Sequence, residues 1–382
     1  MSQNPDPSHG EIFPFLARLE ISREWEIAAD SFLTRPGPVM VLGAPDTGKS
    51  TLCRYLLYRA YTAGLKTAWV DLDAGQSHLG PPTTLGLDFF PPRLPGDRVL
   101  SPTGLYFIGQ TSPVGAILEV VVGCRVLADQ ARERGVFRVV VNTSGFVQGP
   151  GALKLKRSQV ELLNPALILA LQRDGELEPL LRGLGAAPGG GETDVEIDPS
   201  GWPIRRLPVS SRAMRRSPEE RRHFREERFR RYFQQARRLN LPWPGLVIEG
   251  LPLGSGEPLE APDLARFRQN LGGQVLYGES QGSRVLLLVA EPPPAPPDAG
   301  PVDSGRWEHL VWLSWSSLHF RLVGLLDGKR RTLALGLILP APWTSEALAL
   351  WTPLAPVDAP RVRCLKVGKI KVNLEGRELS HV

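Results

Sequence analysis

Apolar residues recur along the chain in two rhythms. Ile12, Phe15, Leu16, Leu19 and Ile21 are spaced for one helix face, and Trp25 to Phe32 continues the helical pattern. Beyond Gly37 the rhythm changes to short unbroken apolar runs separated by longer amphipathic stretches. The runs "VMVLG", "TAWVDLD", "LYFIG", "FRVVVN" and "ALILAL" predict buried strands, with helices opening at Lys49, near Pro113 and near Leu153. Strands that alternate with helices predict an α/β fold, a mostly parallel sheet covered by helices. The segment "LGAAPGGGETD" reads as a loop, and Pro218 to Arg238 as a helix. After "LNLPWPG" come short strands with turn signals, among them Asp327-Gly328 between two apolar runs, and "EPPPAPPDAGP" reads as a stiff linker. The expected organisation is a short helical lead-in over residues 1–36, an α/β domain over 37–240, and a smaller β-rich C-terminal domain over 241–382.

Composition narrows this picture. With 382 residues and 42% hydrophobic content the chain can bury more than one core. The sequence holds no apolar stretch approaching the roughly 18 residues of a membrane span. The start "MSQNPDPSHGE" has neither the basic head nor the apolar middle of a signal peptide. A soluble cytoplasmic protein with no membrane role is expected. Cys53, Cys124 and Cys364 lie far apart in apolar runs and suit buried free thiols rather than disulfides or a metal cluster.

The net charge of +5 is modest, but its distribution is not. Between Arg205 and Arg238 stand thirteen arginines against four glutamates. Glu219, Glu220, Glu226 and Glu227 can pair with arginines three or four residues away, which would make this a solvated helix face. The arginine excess left after pairing also suits a lid over about 205–238 that closes on a phosphoryl group, or a track for nucleic-acid phosphates.

The sharpest chemical signal is "GAPDTGKST". Gly43, Ala44, Pro45, Asp46, Thr47 and Gly48 form a glycine-framed loop after an apolar strand, followed by Lys49, Ser50 and Thr51 at a helix start. Such a loop turns backbone N–H groups toward phosphates, its lysine reaches the β- and γ-phosphates, and its hydroxyl ligates magnesium. A chance glycine turn leaves Lys49 followed by Ser50 unexplained.

A P-loop enzyme also needs a carboxylate at the end of a neighbouring strand. "TAWVDLDAGQ" supplies Asp71, Asp73 and Gln76, whereas "FRVVVN" ends in Asn142. Asp71 and Asp73 are two apart and would point the same way on an extended strand, so either can serve magnesium or an acceptor hydroxyl. The alternative is a turn or cap residue. "VNTSGFVQG" adds a Thr-x-Gly turn beside Phe146, a candidate stacking face.

Taken in order, "GAPDTGKST", "DLDAGQ", "GQTSP" (Gly109 to Pro113), "NTSGF" and "RSPEER" (Arg216 to Arg221) resemble the P-loop, Walker B, Thr-Ser-Pro, clasp and lid motifs of the polynucleotide 5′-hydroxyl kinases. The resemblance covers about residues 37 to 240 and, more loosely, the β-rich tail. It implies that Lys49 and Ser50 hold ATP phosphates and Mg²⁺, with GTP left open as a donor, and that Asp73 activates a 5′-hydroxyl on RNA or DNA. It further implies Gln76 as a neighbour of the metal or its water, Thr143 and Gly145 as a clasp on the acceptor's phosphate, and Arg216 and Arg221 on the transferred group. The family has tryptophan where Phe146 stands, and its eukaryotic members carry a substantial domain where residues 1–36 form a short lead-in. Two other readings keep the loop: a nucleotide-dependent switch of the partitioning-ATPase type, and a relative in which ATP is structural. The lysine near the start of the partitioning-ATPase loop is absent here, and Asp73, Arg216 and Arg221 count against a purely structural nucleotide.

Overall fold

The computed structural model describes residues 19–90, 102–186, 196–197, 202–243, 245–270, 274–291, 307–344 and 346–381. Helix α1 (Arg23–Thr34) is capped by the Ser22 hydroxyl, which accepts from the Trp25 N–H, and buries Trp25, Ala28, Ala29 and Phe32. Strand β1 (Pro38–Gly43) is buried at every position, as a strand covered on both faces must be. The chain continues through α2 (Lys49–Thr62), β2 (Thr67–Asp71), β3 (Thr84–Phe90), β4 (Gly104–Phe107), α3 (Ile117–Glu133), β5 (Val139–Asn142) and α4 (Gly149–Leu163). Then come β6 (Leu167–Gln172), α5 (Glu178–Gly183), β7 (Glu196–Ile197), β8 (Pro203–Pro208) and α6 (Pro218–Phe233).

Among the described residues, these strands form one eight-stranded sheet in the order β4-β3-β2-β5-β1-β6-β8-β7. Strands β2, β5, β1, β6 and β8 pair in parallel, while β3 runs antiparallel to both β2 and β4 and β7 runs antiparallel to β8. The period-two alternation decides which helix covers which face. Val39 and Val41 pack with Trp25 and Phe32 of α1 and with Leu52 and Leu56 of α2. Met40 and Leu42 turn the other way, toward Val160 of α4 and Leu181 of α5. The chain therefore leaves the neighbouring strands β1 and β5 on opposite faces, through α2 and α4. That divergence opens a crevice at their carboxyl ends, where open α/β sheets bind ligands.

The predicted strands and the helix at Lys49 are present. Helix α4 starts at Gly149 rather than near Leu153, and β3 was not anticipated. The lead-in residues Ile12, Phe15 and Leu16, most of "LGAAPGGGETD" and nearly all of "EPPPAPPDAGP" lie outside the described residues. Among the described residues, no helix is long and apolar enough to cross a membrane, and all three cysteines are buried and free.

Residues 1–225 and 226–382 form two compact units, with the division inside α6. This is earlier than the expected break at 240. The reason lies in the second half of α6, where Glu226 Oε1 accepts from the Glu378 N–H at 3.1 Å and Tyr232 Oη from the Leu335 N–H at 2.8 Å. Strand β9 (Arg237–Pro242), whose first two residues were expected to close the helix, pairs antiparallel with Ala347–Thr352 in the second unit's sheet. The second unit continues with β10 (Val247–Glu249), β11 (Glu257–Pro258), α7 (Ala261–Asn270), β12 (Val275–Gln281), β13 (Arg284–Val289) and β14 (His309–Ser314). It ends with β15 (Arg321–Leu326), β16 (Thr332–Ile338), β17 (Ala347–Thr352), β18 (Cys364–Val372) and β19 (Glu378–His381). Among the described residues these make a seven-stranded sheet and a four-stranded one. The Asp327-Gly328 signal does mark a hairpin, between β15 and β16, but the left-handed residue is Arg330 at φ 65°. Asp327 Oδ1 closes the turn by accepting from the N–H groups of Lys329 and Arg331.

Candidate active site

The turn from β1 into α2 depends on two left-handed residues, Asp46 at φ 59° and Gly48 at φ 89°. A Cβ at Gly48 would meet nothing within 4 Å, so glycine is required there by its backbone angle rather than by crowding. Gly48 caps α2 without a side-chain hydrogen bond. The first-turn N–H groups of Lys49, Ser50 and Thr51, backed by the helix dipole, are thereby available to an anion. The Ala44 carbonyl organises the loop: it accepts from Thr47 Oγ1 at 2.9 Å and from Lys49 Nζ at 2.6 Å. Burial lowers the Lys49 pKa, against the pull of the nearby Asp73 carboxylate.

A cavity of about 520 Å³ opens beside this turn. The P-loop contributes Pro45, Asp46, Gly48, Lys49, Ser50 and Thr51 to its walls, and the segment after β2 contributes Asp73 and Gln76. Thr111 to Pro113, the turn Ser144 to Phe146, and the arginines Arg216 and Arg221 also line it. Gly43, the last residue of β1, and the residues Ala44 and Thr47 stand behind the lining and shape the loop.

Two sequence expectations change. Asp71 is fully buried and does not line the cavity: strand β2 ends at Asp71, so the alternation that would have aimed it alongside Asp73 stops there. Its carboxylate is taken up internally. Oδ2 accepts from the N–H groups of His78 (2.6 Å) and Leu79 (3.3 Å), and Oδ1 accepts from Asn142 Nδ2 (2.8 Å) and the Asp73 N–H (3.2 Å). Burial, reinforced by the Asp73 charge, pushes Asp71 up to about 6. It is a framework residue for the turn that carries Asp73. Thr143 is likewise fully buried, with Oγ1 donating to the Val41 carbonyl at 2.8 Å, and Ser144 lines the cavity in its place.

Asp73 stands in that turn with Oδ1 accepting from the N–H groups of Gly75 (3.2 Å) and Gln76 (3.0 Å). Among the described residues, no hydrogen bond falls on its Oδ2. Gln76 Oε1 accepts from the Arg216 guanidinium at 3.2 Å, and its Nε2 donates to the Arg221 carbonyl at 3.4 Å. Asn142, at the end of β5, donates from Nδ2 to Ser50 Oγ at 3.3 Å as well as to Asp71. At Gly145 the turn after β5 lies so close to the P-loop that a Cβ would come within 2.8 Å of the Pro45 nitrogen.

Asp46 does more than its place in the loop suggested. Its Oδ2 accepts from the Arg216 N–H at 3.0 Å and from the Arg221 guanidinium at 2.6 Å. Burial raises its pKa, but these two donors outweigh burial and hold the carboxyl below its ordinary value. Arg173, at the end of β6, donates to the Asp46 carbonyl at 2.8 Å and to the Ala213 carbonyl at 3.4 Å. Of the thirteen arginines of the basic segment, Arg216, Arg221 and Arg225 line the cavity. Arg206 lies instead in β8, paired with Glu178 at 2.8 Å. Arg54, His78 and Arg225 are cavity residues that reading the sequence missed. Helical spacing could have found two of them, because Arg54 is four residues after Ser50 and Arg225 four after Arg221.

A buried strand, a glycine-framed turn with a lysine at the helix start, and a carboxylate on the neighbouring strand's exit define a P-loop nucleotide-binding protein. Residues 43–235 match the family model described as mRNA cleavage and polyadenylation factor CLP1 P-loop, and the chain belongs to that family. Its relatives include proteins named polyribonucleotide 5′-hydroxyl-kinase from two archaea. That of Thermococcus kodakarensis is 31% identical over 349 residues, 91% of each chain, and that of Pyrococcus horikoshii is 28% identical over 363 residues, 94% of this chain and 93% of the relative. Human polyribonucleotide 5′-hydroxyl-kinase Clp1 is 30% identical over 210 residues, 52% of this chain and 45% of its own. The fold is also that of the structure of wild-type Clp1p–Pcf11p (454–563) complex, with a TM-score of 0.57 over 91% of this chain and 79% of that one at 13% identity.

Proposed function

We propose that this protein is an ATP-dependent polynucleotide 5′-hydroxyl kinase that moves the γ-phosphate of ATP to the 5′-hydroxyl end of RNA or DNA. The observation that carries this reading is one cavity lined at once by Lys49 and Ser50, by Asp73, by the turn Ser144 to Phe146, and by Arg216 and Arg221. A site for nucleotide binding alone has no use for a second binding turn beside the phosphate cradle.

The chemistry assigns each group a task. Asp73, through Oδ2, accepts the proton of the acceptor's 5′-hydroxyl as its oxygen bonds to the γ-phosphorus. The bond from that phosphorus to the β,γ-bridging oxygen breaks, and ADP leaves with the electron pair. Lys49 and the first-turn N–H groups of α2 hold the triphosphate, and Arg216 and Arg221 balance the charge that spreads over the moving group. Ser144, Gly145 and Phe146 receive the acceptor strand.

The residues present fit Mg²⁺. Ser50 offers a hydroxyl in the cavity and Asp73 a carboxylate that would face a cation-bound water, the sparse set of a cation that keeps its waters and phosphate oxygens. Asn142 Oδ1, on the same side chain that bonds Ser50, is buried with no partner among the described residues and can accept from a metal-bound water. When bound, the cation neutralises phosphate charge. A parallel reaction with γ-labelled GTP tests it as an alternative donor.

Incubation with γ-labelled ATP and 5′-hydroxyl oligonucleotides, RNA and DNA in parallel, tests the reading. Label should appear at the 5′ end, and Lys49→Ala should reduce it to background. ATP binding without transfer to either acceptor would point to a nucleotide switch instead.

A further inference from the structure

Lys156 is a lysine on α4 with no exposed surface and no place in the cavity lining. Isolated ammonium groups are rarely taken out of water, because desolvation disfavours their charged form by several kcal/mol. Its Nζ donates to the Ser144 carbonyl at 2.9 Å and contacts the Ser144 hydroxyl at 3.4 Å. No carboxylate is bonded to it among the described residues. The cost of burying it is offset by the nearby charge of Asp73 and by hydrogen bonds to one residue, Ser144, which opens the cavity-lining turn beside the P-loop.

A second contact comes from the same helix. Gly151, five positions before Lys156, lies under the ring of Phe146, where a Cβ would sit 3.4 Å from the ring's Cζ. Helix α4 thus supports the turn at both ends, through a hydrogen bond at Ser144 and a close approach at Phe146. On its other side the turn rests on Pro45 at Gly145. Ser144 is 5% exposed, so it cannot shift outward without losing packing.

We propose that Lys156 is a positioning residue for the acceptor: it anchors the Ser144 carbonyl and so fixes the Ser144–Gly145–Phe146 turn in the conformation that receives the acceptor strand. This rests on the kinase reading above. Burial, with the Lys49 charge adding to it, brings the Lys156 pKa down to about 7 against the pull of the Asp73 charge, and the hydrogen bonds of the ammonium fall on Ser144. A lysine serving only as filler would be replaceable by an apolar chain of similar length.

Lys156→Met keeps the length of the side chain and removes the donor, and Lys156→Gln keeps a donor. The experiment measures kcat and the KM for both substrates with wild type and both variants, alongside their unfolding temperatures. Loss of the anchor should raise the KM for a 5′-hydroxyl oligonucleotide by about tenfold, the scale of one hydrogen bond to a charged group. The KM for ATP should change less than about twofold, and Lys156→Gln should recover most of the loss. An unchanged acceptor KM in Lys156→Met would overturn the positioning role while leaving the kinase reading intact. Equal rises in both KM values, or a collapse of the unfolding temperature in both variants, would assign Lys156 to core stability and overturn it too. A wild type that transfers no phosphate would sink the kinase reading and this one together.

Discussion

Oδ2 of Asp46 accepts both the Arg216 N–H and the Arg221 guanidinium, which ties the lid arginines to the tip of the phosphate loop. Charge-assisted hydrogen bonds of this kind are roughly twice as strong as neutral ones. Arg221 therefore stands beside the phosphate cradle, and a guanidinium so held has little reorganisation left to make when negative charge develops on the moving phosphoryl. Arg221→Ala should lower kcat by on the order of 10³, while the dissociation constant for ATP changes by a few-fold. Single-turnover rates set against equilibrium ATP binding check this; a loss confined to ATP affinity would mean a ground-state role. At this scale the sequence was readable where a residue's place follows from the local pattern, as with Lys49 and Ser50, which open α2 and line the cavity. It misled where geometry intervenes. Asp71 and Asp73 look equivalent two apart on a strand, but the strand stops at Asp71 and the chain turns, burying one carboxylate and leaving the other at the cavity.

Elements set the distances between these groups. Helix α2 and helix α4 leave adjacent strands on opposite faces of the sheet, so the P-loop and the clasp turn meet at the carboxyl edge with Gly145 against Pro45. A methyl group at Gly145 would fall 2.8 Å from the Pro45 nitrogen and ring, and neither can yield as a flexible side chain would. Gly145→Ala should push the turn off the loop and lower kcat/KM for the acceptor by about 10²-fold, the usual cost of an ångström-scale misplacement. The unfolding temperature should stay within a few degrees of wild type, because the change is local to a turn. Steady-state kinetics with a thermal melt separate the two effects. Apolar runs made β1, β2, β5 and β6 legible, since strands covered on both faces are continuous in hydrophobicity. Strand β3 escaped because "TLGLDFF" is interrupted by Gly86 and Asp88. The Asp88 carboxylate is satisfied locally by the Phe89 N–H at 3.0 Å and the Thr103 hydroxyl at 2.8 Å, a pairing that no periodicity announces.

Across the whole molecule, every group assigned a part in transfer lies within residues 1–225, the first compact unit. The second unit's β-rich character was visible in the short apolar runs after residue 240. Its true start was not, because the run from Pro218 to Arg238 reads as one helix, and no pattern in it announces that Glu226 and Tyr232 accept from the N–H groups of Glu378 and Leu335. The uneven charge also resolves at this scale. Of thirteen arginines in one segment, three reach the cavity; Arg205 and Arg206 lie in β8, Arg237 and Arg238 in β9, Arg212 pairs with Glu20 and Arg230 with Glu227, and Arg228 is buried in α6. The most direct test of the account is single-turnover transfer from γ-labelled ATP to a saturating 5′-hydroxyl oligonucleotide by Asp73→Asn, with ATP binding measured on the same preparation. Loss of general-base catalysis should slow transfer by about 10²- to 10⁴-fold while ATP still binds within a few-fold of wild type. Transfer at near the wild-type rate would contradict the assignment of Asp73 and, with it, the mechanism proposed for this site.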